Sequence, residues 1–129
     1  MSEMHKFDPK AFVSAWLDAW NALDIEAVLA HFHDDASFDS PIAQQVMPES
    51  KGKLHGKQAL RAYWSQAVTL VPDLHFALLG VYVGVDSLVI HYQNQKGVAV
   101  SEVLLLREGK VAHGYATYAL AANNPAGLR

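Results

Sequence analysis

The sequence predicts an α+β fold in which helices pack on one face of an antiparallel sheet. Apolar residues recur at helical spacing in the first half of the chain, up to Val71. β-rich runs at 74–83, 87–94, 98–107 and 110–119 fill the second half, with turn-forming residues between them at hairpin spacing. Helices followed by a strand meander are typical of α+β domains. At 129 residues the chain fits one domain, 1–129, with a loose tail at 121–129.

Three helices are predicted from their caps and their apolar faces. The first begins at Asp8-Pro9, which places an acceptor at the N-cap and a proline at the first helical position. Asp24 caps the second helix, which the polar run 33–35 ends, and the third helix follows Gly56. The three predicted buried faces are Phe12, Val13, Trp16, Leu17 and Trp20; Ile25, Val28, Leu29 and Phe32; and Leu60, Tyr63, Trp64, Ala67 and Val68.

A short strand and a long connection lie between the second and third helices. Residues 36–40 alternate as a strand, and Pro41 ends it. The stretch 42–55 is rich in Gln, Lys, Pro and Gly and is long for a connection in a compact domain. We therefore expect a mobile flap beside a pocket.

The strand predicted over 98–107 indicates how the chain associates with itself. One face carries Val98, Val100, Glu102, Leu104 and Leu106, and the other carries Ala99, Ser101, Val103 and Leu105. Both faces are largely apolar, whereas a sheet with one face in water alternates apolar and polar residues. Because the helices can cover one face only, we predict a homodimer in which a second copy covers the other face.

Composition and charge exclude several kinds of partner and chemistry. The chain is 51% hydrophobic and carries a net charge of −3 without a basic patch, so neither nucleic acid nor an anionic membrane surface is an expected partner. It has no cysteine, which excludes disulfides, zinc–thiolate sites and thiol catalysis. The first ten residues lack an apolar signal core, and no apolar run is long enough to span a membrane, so a cytoplasmic location is expected.

No cofactor and no metal are expected from the motifs. The sequence contains neither a Gly-rich phosphate loop nor a dinucleotide fingerprint. Its seven histidines form no His-x-x-x-His pair and no facial-triad pattern. His31 and His33 are two apart at a predicted helix end and therefore point to different sides.

Several short motifs occur in an order that resembles a known family. They are Trp20-Asn21, Asp24, His31-Phe32, Asp34-Asp35-Ala36, Phe38, Pro41, Gly56 with 59–64 (ALRAYW), and Gly109-Lys110-Val111. Their order and spacing, from about Phe7 to Tyr118, resemble the SnoaL-like and ketosteroid-isomerase-like families of the nuclear transport factor 2-like superfamily. The resemblance implies a cone: a curved, mainly antiparallel sheet wrapped around three N-terminal helices. It also implies an apolar pocket inside the cone and a dimer through the convex sheet face.

The isomerase chemistry implied by this resemblance carries over at one polar position of four. The family's carboxylate base stands just before the strand-ending proline, where this chain has Ser40. Asp39 is one place earlier and therefore on the opposite strand face. Two helix tyrosines of the family are replaced by Trp16 and Trp64. The family's protonated aspartic acid on a late strand matches Glu102, and such a neutral carboxylic acid can donate a hydrogen bond.

Glu102, Asp39 and Ser40 are the candidate catalytic residues. Glu102 lies on an apolar strand face, where a carboxyl without a cation partner has a raised pKa and can act as acid, base or donor. The alternative for Glu102 is a structural hydrogen bond. Asp39 could pair with Glu102 if a bulge or twist turned it inward, and it is otherwise a solvated strand residue.

The candidate substrate-binding residues, for most of which core packing is the alternative, are Trp16, Trp20, Tyr63, Trp64, Tyr92 and Tyr118.

These residues favour a small-molecule pocket protein that works without a cofactor. The expected ligand is small and apolar or cyclic, with a carbonyl or hydroxyl that engages Glu102. If the protein is an enzyme, we expect acid/base isomerisation, cyclisation or hydration of an apolar carbonyl compound. The alternative is a non-catalytic dimeric module that binds a ligand or serves as an adaptor. Ser40 and Trp16 favour that alternative, whereas Glu102 and the 42–55 connection favour the pocket.

Overall fold

The helical first half and the strand-rich second half are both present in the computed structural model, which describes residues 7–120. The α+β class predicted from the sequence is therefore confirmed. The predicted tail at 121–129 lies outside the described residues. Within 7–120 the helices are α1 Pro9–Asn21, α2 Ile25–Leu29, α3 Pro41–Val46 and α4 Lys57–Leu70. The strands are β1 Phe32–Asp39, β2 Lys53–His55, β3 Ala77–Val83, β4 Ser87–Gln93, β5 Ala99–Arg107 and β6 Lys110–Tyr118.

The six strands form one sheet in the order β2-β1-β6-β5-β4-β3. Neighbouring strands are antiparallel except β1 and β6, which pair in parallel, with Phe38 opposite Gly114. The register shifts within β1, within β3 and between β5 and β6. Such irregularities bend strands and increase their twist, which curves the sheet around the helices.

Side-chain caps explain where the first two helices begin and how α1 is held to the sheet. The Asp8 carboxylate accepts hydrogen bonds from the backbone N–H groups of Lys10 and Ala11, and Asp24 accepts one from Ala27. At the other end of α1, the Asn21 amide donates to the Phe76 carbonyl and accepts from the Phe76 N–H. These two hydrogen bonds between the Asn21 side chain and the Phe76 backbone hold the residues that precede β3 against α1.

The second helix is shorter than the sequence predicts, and the first strand is longer. The helix ends at Leu29, so Phe32 and the polar run 33–35 belong to β1 instead. The expectation that this run ends a helix was wrong. The run lies in β1 at the register irregularity between Phe32 and Ser37, on either side of which β1 pairs with β6. Two of its carboxylates form ion pairs, Asp34 with Lys57 and Asp35 with Arg107. Pairing with distant strands outweighs the local polar signal.

The stretch predicted as a flap contains regular structure. It holds α3, a 3-10 turn at Pro48–Ser50 and strand β2. The Ser40 hydroxyl accepts from the N–H groups of Ile42 and Ala43, and Pro41 occupies the first helical position. No helix or strand was predicted in this connection, and the missed signal was Ser40-Pro41, a cap of the same kind as Asp8-Pro9.

The two faces of β5 differ in burial as the alternation predicts. Val100, Glu102, Leu104 and Leu106 are buried under the helices. Ala99, Ser101 and Val103 are half-buried, and Leu105 is 40% exposed. None of the helices in residues 7–120 has the length and apolar character needed to cross a membrane.

Candidate ligand cavity

A cavity of about 200 Å³ lies between the inner face of the sheet and the helices. Aromatic and aliphatic side chains make most of its wall, and a few polar groups interrupt them. Exposed Gln45 and Lys96 mark the side on which the cavity reaches solvent. The lining residues include Trp20, Phe38, Ser40, Tyr63, Trp64, Phe76, Tyr92, Lys96, Glu102 and Tyr118.

Glu102 is the buried acid of the cavity wall. It lies in the middle of β5, opposite Ile90 on β4 and Ala116 on β6, and is 6% exposed. Burial raises the pKa of Glu102 to about 7, although a hydrogen bond from the Tyr92 hydroxyl to Oε1, 3.1 Å long, acts in the opposite direction. The carboxyl therefore exists in both its neutral and its charged form near pH 7, the condition that general acid/base chemistry requires.

Three tyrosine hydroxyls surround this acid. Tyr92 contacts it directly, while the Tyr63 hydroxyl lies 3.5 Å from Ser40 Oγ, at the outer limit of a hydrogen bond. Burial raises the pKa of Tyr63 to about 12, against the effect of the Ser40 contact, and burial likewise raises the pKa values of Tyr92 and Tyr118. All three phenols are thus neutral at pH 7. Because the single O–H of Tyr92 already donates to Glu102, Tyr63 and Tyr118 are the two that can donate hydrogen bonds to an oxygen atom in the cavity.

Aromatic rings form the apolar part of the wall. Trp64 meets Trp20 edge-on with ring centroids 5.2 Å apart and meets Phe38 at 5.4 Å. Phe76 packs on Tyr92 at 4.1 Å. Such contacts hold the rings in fixed orientations, so the apolar part of the wall is fixed in shape.

Trp16 does not line this space. It is fully buried, and its ring packs against Trp20, Phe76 and Tyr92 on the side away from the cavity lining. The structure thus places Trp16 in the core, while the other five aromatic candidates line the cavity.

Asp39 lies on the outer face of the sheet. Its carboxylate accepts hydrogen bonds from Lys53 Nζ at 2.9 Å and from His113 Nε2 at 3.1 Å. Partial burial opposes ionisation, but these two hydrogen bonds together lower the pKa of Asp39. Because strand residues alternate between faces, Ser40 reaches the cavity and Asp39 cannot. The carboxylate pair with Glu102 that an inward turn of Asp39 would create is not formed.

Some lining residues were not anticipated from the sequence. Phe76 precedes β3, and Gln45 belongs to the unpredicted helix α3. Residues 94–96 come from the hairpin between β4 and β5, where Asn94 Oδ1 accepts from the N–H groups of Lys96 and Val98. Asn94-to-Gly97 was recognisable as a turn, but nothing local in the sequence says that this turn borders the cavity.

Metal-ligating side chains do not converge in this region. Across residues 7–120, no group of three or more His, Asp or Glu side chains is arranged to hold a metal ion. His113 is bound to Asp39 on the outer face, and His31 contacts the Ala27 carbonyl and the edge of Phe12.

The chain is similar in sequence and in fold to known proteins. Residues 13–117 match the model of a family described as the SnoaL-like domain. No curated protein matches the chain significantly. A SnoaL-like protein of unknown function from Burkholderia thailandensis is 39% identical, with 86% of this chain and 93% of that chain covered and a TM-score of 0.81.

Two more distant structures share the fold. A putative polyketide cyclase from Sinorhizobium meliloti is 16% identical, with coverage of 91% of this chain and 100% of that chain and a TM-score of 0.69. TerC, crystallised with polyporic acid, is 16% identical, with coverage of 87% and 92% and a TM-score of 0.71. At this identity the likeness concerns the fold alone.

Proposed function

This chain belongs to the SnoaL-like domain family, and we propose that it binds a small organic molecule in the cavity and acts on it by acid/base chemistry at Glu102. The observation that carries the proposal is a buried carboxyl in the wall of an otherwise mainly apolar cavity, with a pKa of about 7. TerC shows that a protein of this fold can be crystallised with an organic molecule, and another neighbour is described as a putative polyketide cyclase.

The chemistry follows from the two protonation states of Glu102. In its neutral form Glu102 donates a hydrogen bond or a proton to a ligand carbonyl oxygen, and in its charged form it accepts one from a ligand hydroxyl or an adjacent carbon. Tyr63 and Tyr118 can stabilise negative charge that develops on the same oxygen, because their hydroxyls stay neutral in a site of low polarity. A single carboxyl that takes a proton from one atom and returns it to another suffices for isomerisation or cyclisation of a carbonyl compound.

A second candidate function is binding without catalysis. The observation that favours it is the position of Asp39, whose carboxylate is held by Lys53 and His113 outside the cavity. Glu102 then has no carboxylate partner with which to divide acid and base roles. In this case the cavity selects a ligand, and Glu102 serves as a hydrogen-bonding group.

The outer sheet face supports the proposal that the protein is a homodimer. Tyr82, Val89, Val103 and Leu105 lie on the face opposite the helices, and Tyr82 is 58% exposed. The same face also carries His91 and Ser101, but large apolar side chains clustered on an outer sheet face are usually covered by another surface. Sedimentation of Val103→Lys against the wild type tests this, because a charge in the centre of the face should yield monomers. Leu70→Lys, on an exposed helix residue, is the matched control and should leave the dimer intact.

The cavity proposal is tested by a ligand screen that follows thermal unfolding. The panel contains cyclic enones, phenols, lactones, polycyclic aromatics and steroids, and the proteins are the wild type, Glu102→Gln and the exposed matched control Glu49→Gln. A compound that raises the midpoint of the wild type and the control, but not of Glu102→Gln, supports binding at Glu102. Hits are then incubated with each protein, and turnover that only Glu102→Gln loses supports catalysis.

Two other outcomes of the screen have distinct meanings. Binding at Glu102 without turnover of any hit favours the binding module over the enzyme. No stabilisation by any compound contradicts the proposal that the cavity is a ligand site.

A further inference from the structure

The size of the cavity limits its ligand. Pockets for drug-sized ligands have volumes of about 300–1,000 Å³, and an apolar protein cavity of about 150 Å³ holds benzene. The present cavity, about 200 Å³, lies between these cases. It has room for one ring with a few additional atoms, and a fused polycycle exceeds it.

The cavity also has two chemically different ends. The register of β5 places Glu102 two residues deeper than Val100, which lies opposite Tyr92 and Tyr118. The hairpin that carries Lys96 is at the other end, and the part of β5 between Ala99 and Glu102 alone spans roughly 10 Å. A ligand that reaches both ends is therefore longer than a single ring.

Charge distinguishes the outer end from the inner one. Among the lining residues, Lys96 is the only one besides Glu102 that carries a charged group at neutral pH. Within residues 7–120, the Lys96 ammonium forms no ion pair, whereas Lys53 and Lys57 each pair with a carboxylate. A lysine without an ion pair in the wall of an apolar cavity, on the side that reaches solvent, favours ligands that bear a negative charge at that end.

We propose, building on the proposed function, that the ligand is a single-ring carboxylate: its ring lies between the aromatic walls, a ring hydroxyl or carbonyl contacts Glu102 and the tyrosines, and its carboxylate tail extends to Lys96. The combination of a small apolar space, an inner hydrogen-bonding end and an outer cation carries this assignment. It narrows the ligand to one chemical class and excludes fused polycycles as the preferred occupants.

Calorimetric titration with four probes tests the assignment. The probes are 3-(4-hydroxyphenyl)propionate, its neutral amide, 4-ethylphenol and a three-ring hydroxyanthracene carboxylate. The proteins are the wild type, Lys96→Gln, the exposed control Lys10→Gln and Glu102→Gln. We expect the wild type to prefer the propionate over its amide by about threefold in low salt. This preference should disappear in Lys96→Gln and persist in Lys10→Gln.

The remaining comparisons separate this inference from the proposed function. We expect Glu102→Gln to weaken the binding of all single-ring probes by at least about tenfold. We also expect the wild type to bind the three-ring probe more weakly than it binds the propionate. Suppose that Glu102→Gln weakens the binding of the phenols while Lys96→Gln leaves the ratio of propionate to amide affinity unchanged. The assigned contact between the ligand carboxylate and Lys96 is then wrong, and the proposed function stands. Tighter binding of the three-ring probe refutes the size limit. If none of the single-ring probes binds, the inference fails, and the broader screen then decides on the proposed function.

Discussion

The inner and outer faces of the sheet place a carboxylate in opposite environments. On the inner face Glu102 is buried beside a tyrosine, and its pKa rises to about 7. On the outer face Asp39 lies between Lys53 and His113, and its pKa is lowered. Both residues sit on strands of one sheet, so the difference arises from the face and its neighbours. Strand alternation decides which face each acid lies on, and burial on one face or cationic neighbours on the other then decide which acid can exchange protons near neutral pH.

The largest expected effect comes from truncating neighbouring leucines of β5 on the two faces. Leu104 is fully buried and Leu105 is 40% exposed. We expect Leu104→Ala to lower the free energy of unfolding by about 2–5 kcal/mol and Leu105→Ala by about 1 kcal/mol or less. Urea unfolding at a protein concentration low enough to dissociate a dimer checks this. Equal losses in the two variants would show that the faces are equally packed and would remove the basis of the comparison.

The next prediction concerns the pH dependence of stability that Glu102 causes. Its pKa is about 7 in the folded state and near 4.5 when unfolded, so the folded state binds more protons in this interval. The stabilisation from Glu102 is complete at a pH below the pKa of the unfolded state. It is lost as the pH rises through the pKa of the folded state, and the free energy of unfolding falls by about 3 kcal/mol in total.

Urea unfolding of the wild type and Glu102→Gln across this interval provides the measurement. The wild type should lose stability relative to the variant as the pH rises toward 7, and the difference should level off above it. A difference that does not vary with pH would mean that Glu102 titrates normally and is not desolvated.

Asp39 should show the smallest effect and the opposite sign. Because the pKa of Asp39 is lowered on folding, its contribution is present above 3.8 and is lost as the pH falls further. Asp39→Asn should therefore be less stable than the wild type at neutral pH, by about 1 kcal/mol or less. The free energies of unfolding of the two proteins should become equal at acidic pH, which urea unfolding at a series of acidic pH values measures. Divergence in acid would contradict the assigned role of Lys53 and His113.

Much of the fold could be predicted because its signals are local. The cap at Asp8-Pro9 and the alternation along β5 depend on adjacent residues, and both are present as expected. Helix α3 carries the same kind of cap at Ser40-Pro41 and was still missed, because its composition resembled that of a loop. The pairing of β1 with β6 joins segments far apart in sequence, so residues 33–35 gave no local sign of it.

The candidate site was predictable only in part, for a similar reason. Strand alternation places Glu102 on the inner face, and Glu102 lines the cavity. Alternation also puts Asp39 and Ser40 on opposite faces, but the sequence alone did not say which of the two faces inward; the structure gives that place to Ser40. Trp16 and Trp64 occupy equivalent apolar positions of their helices, so the sequence cannot say which faces the core and which faces the cavity. Lys96 lines the mouth because a hairpin folds beside the helices, an arrangement set by the whole sheet.

The parallel pairing of β1 with β6 has a consequence for how the protein is made. Phe38 comes from the first strand and Ser40 directly follows it, whereas Ala116 and Tyr118 come from the last strand. Contacts between such distant segments form late, since loop closure over a long chain is slow. During synthesis the chain therefore leaves the ribosome with its helices and hairpins available but its cavity open on one side. Binding competence arrives only when the final strand inserts between β1 and β5.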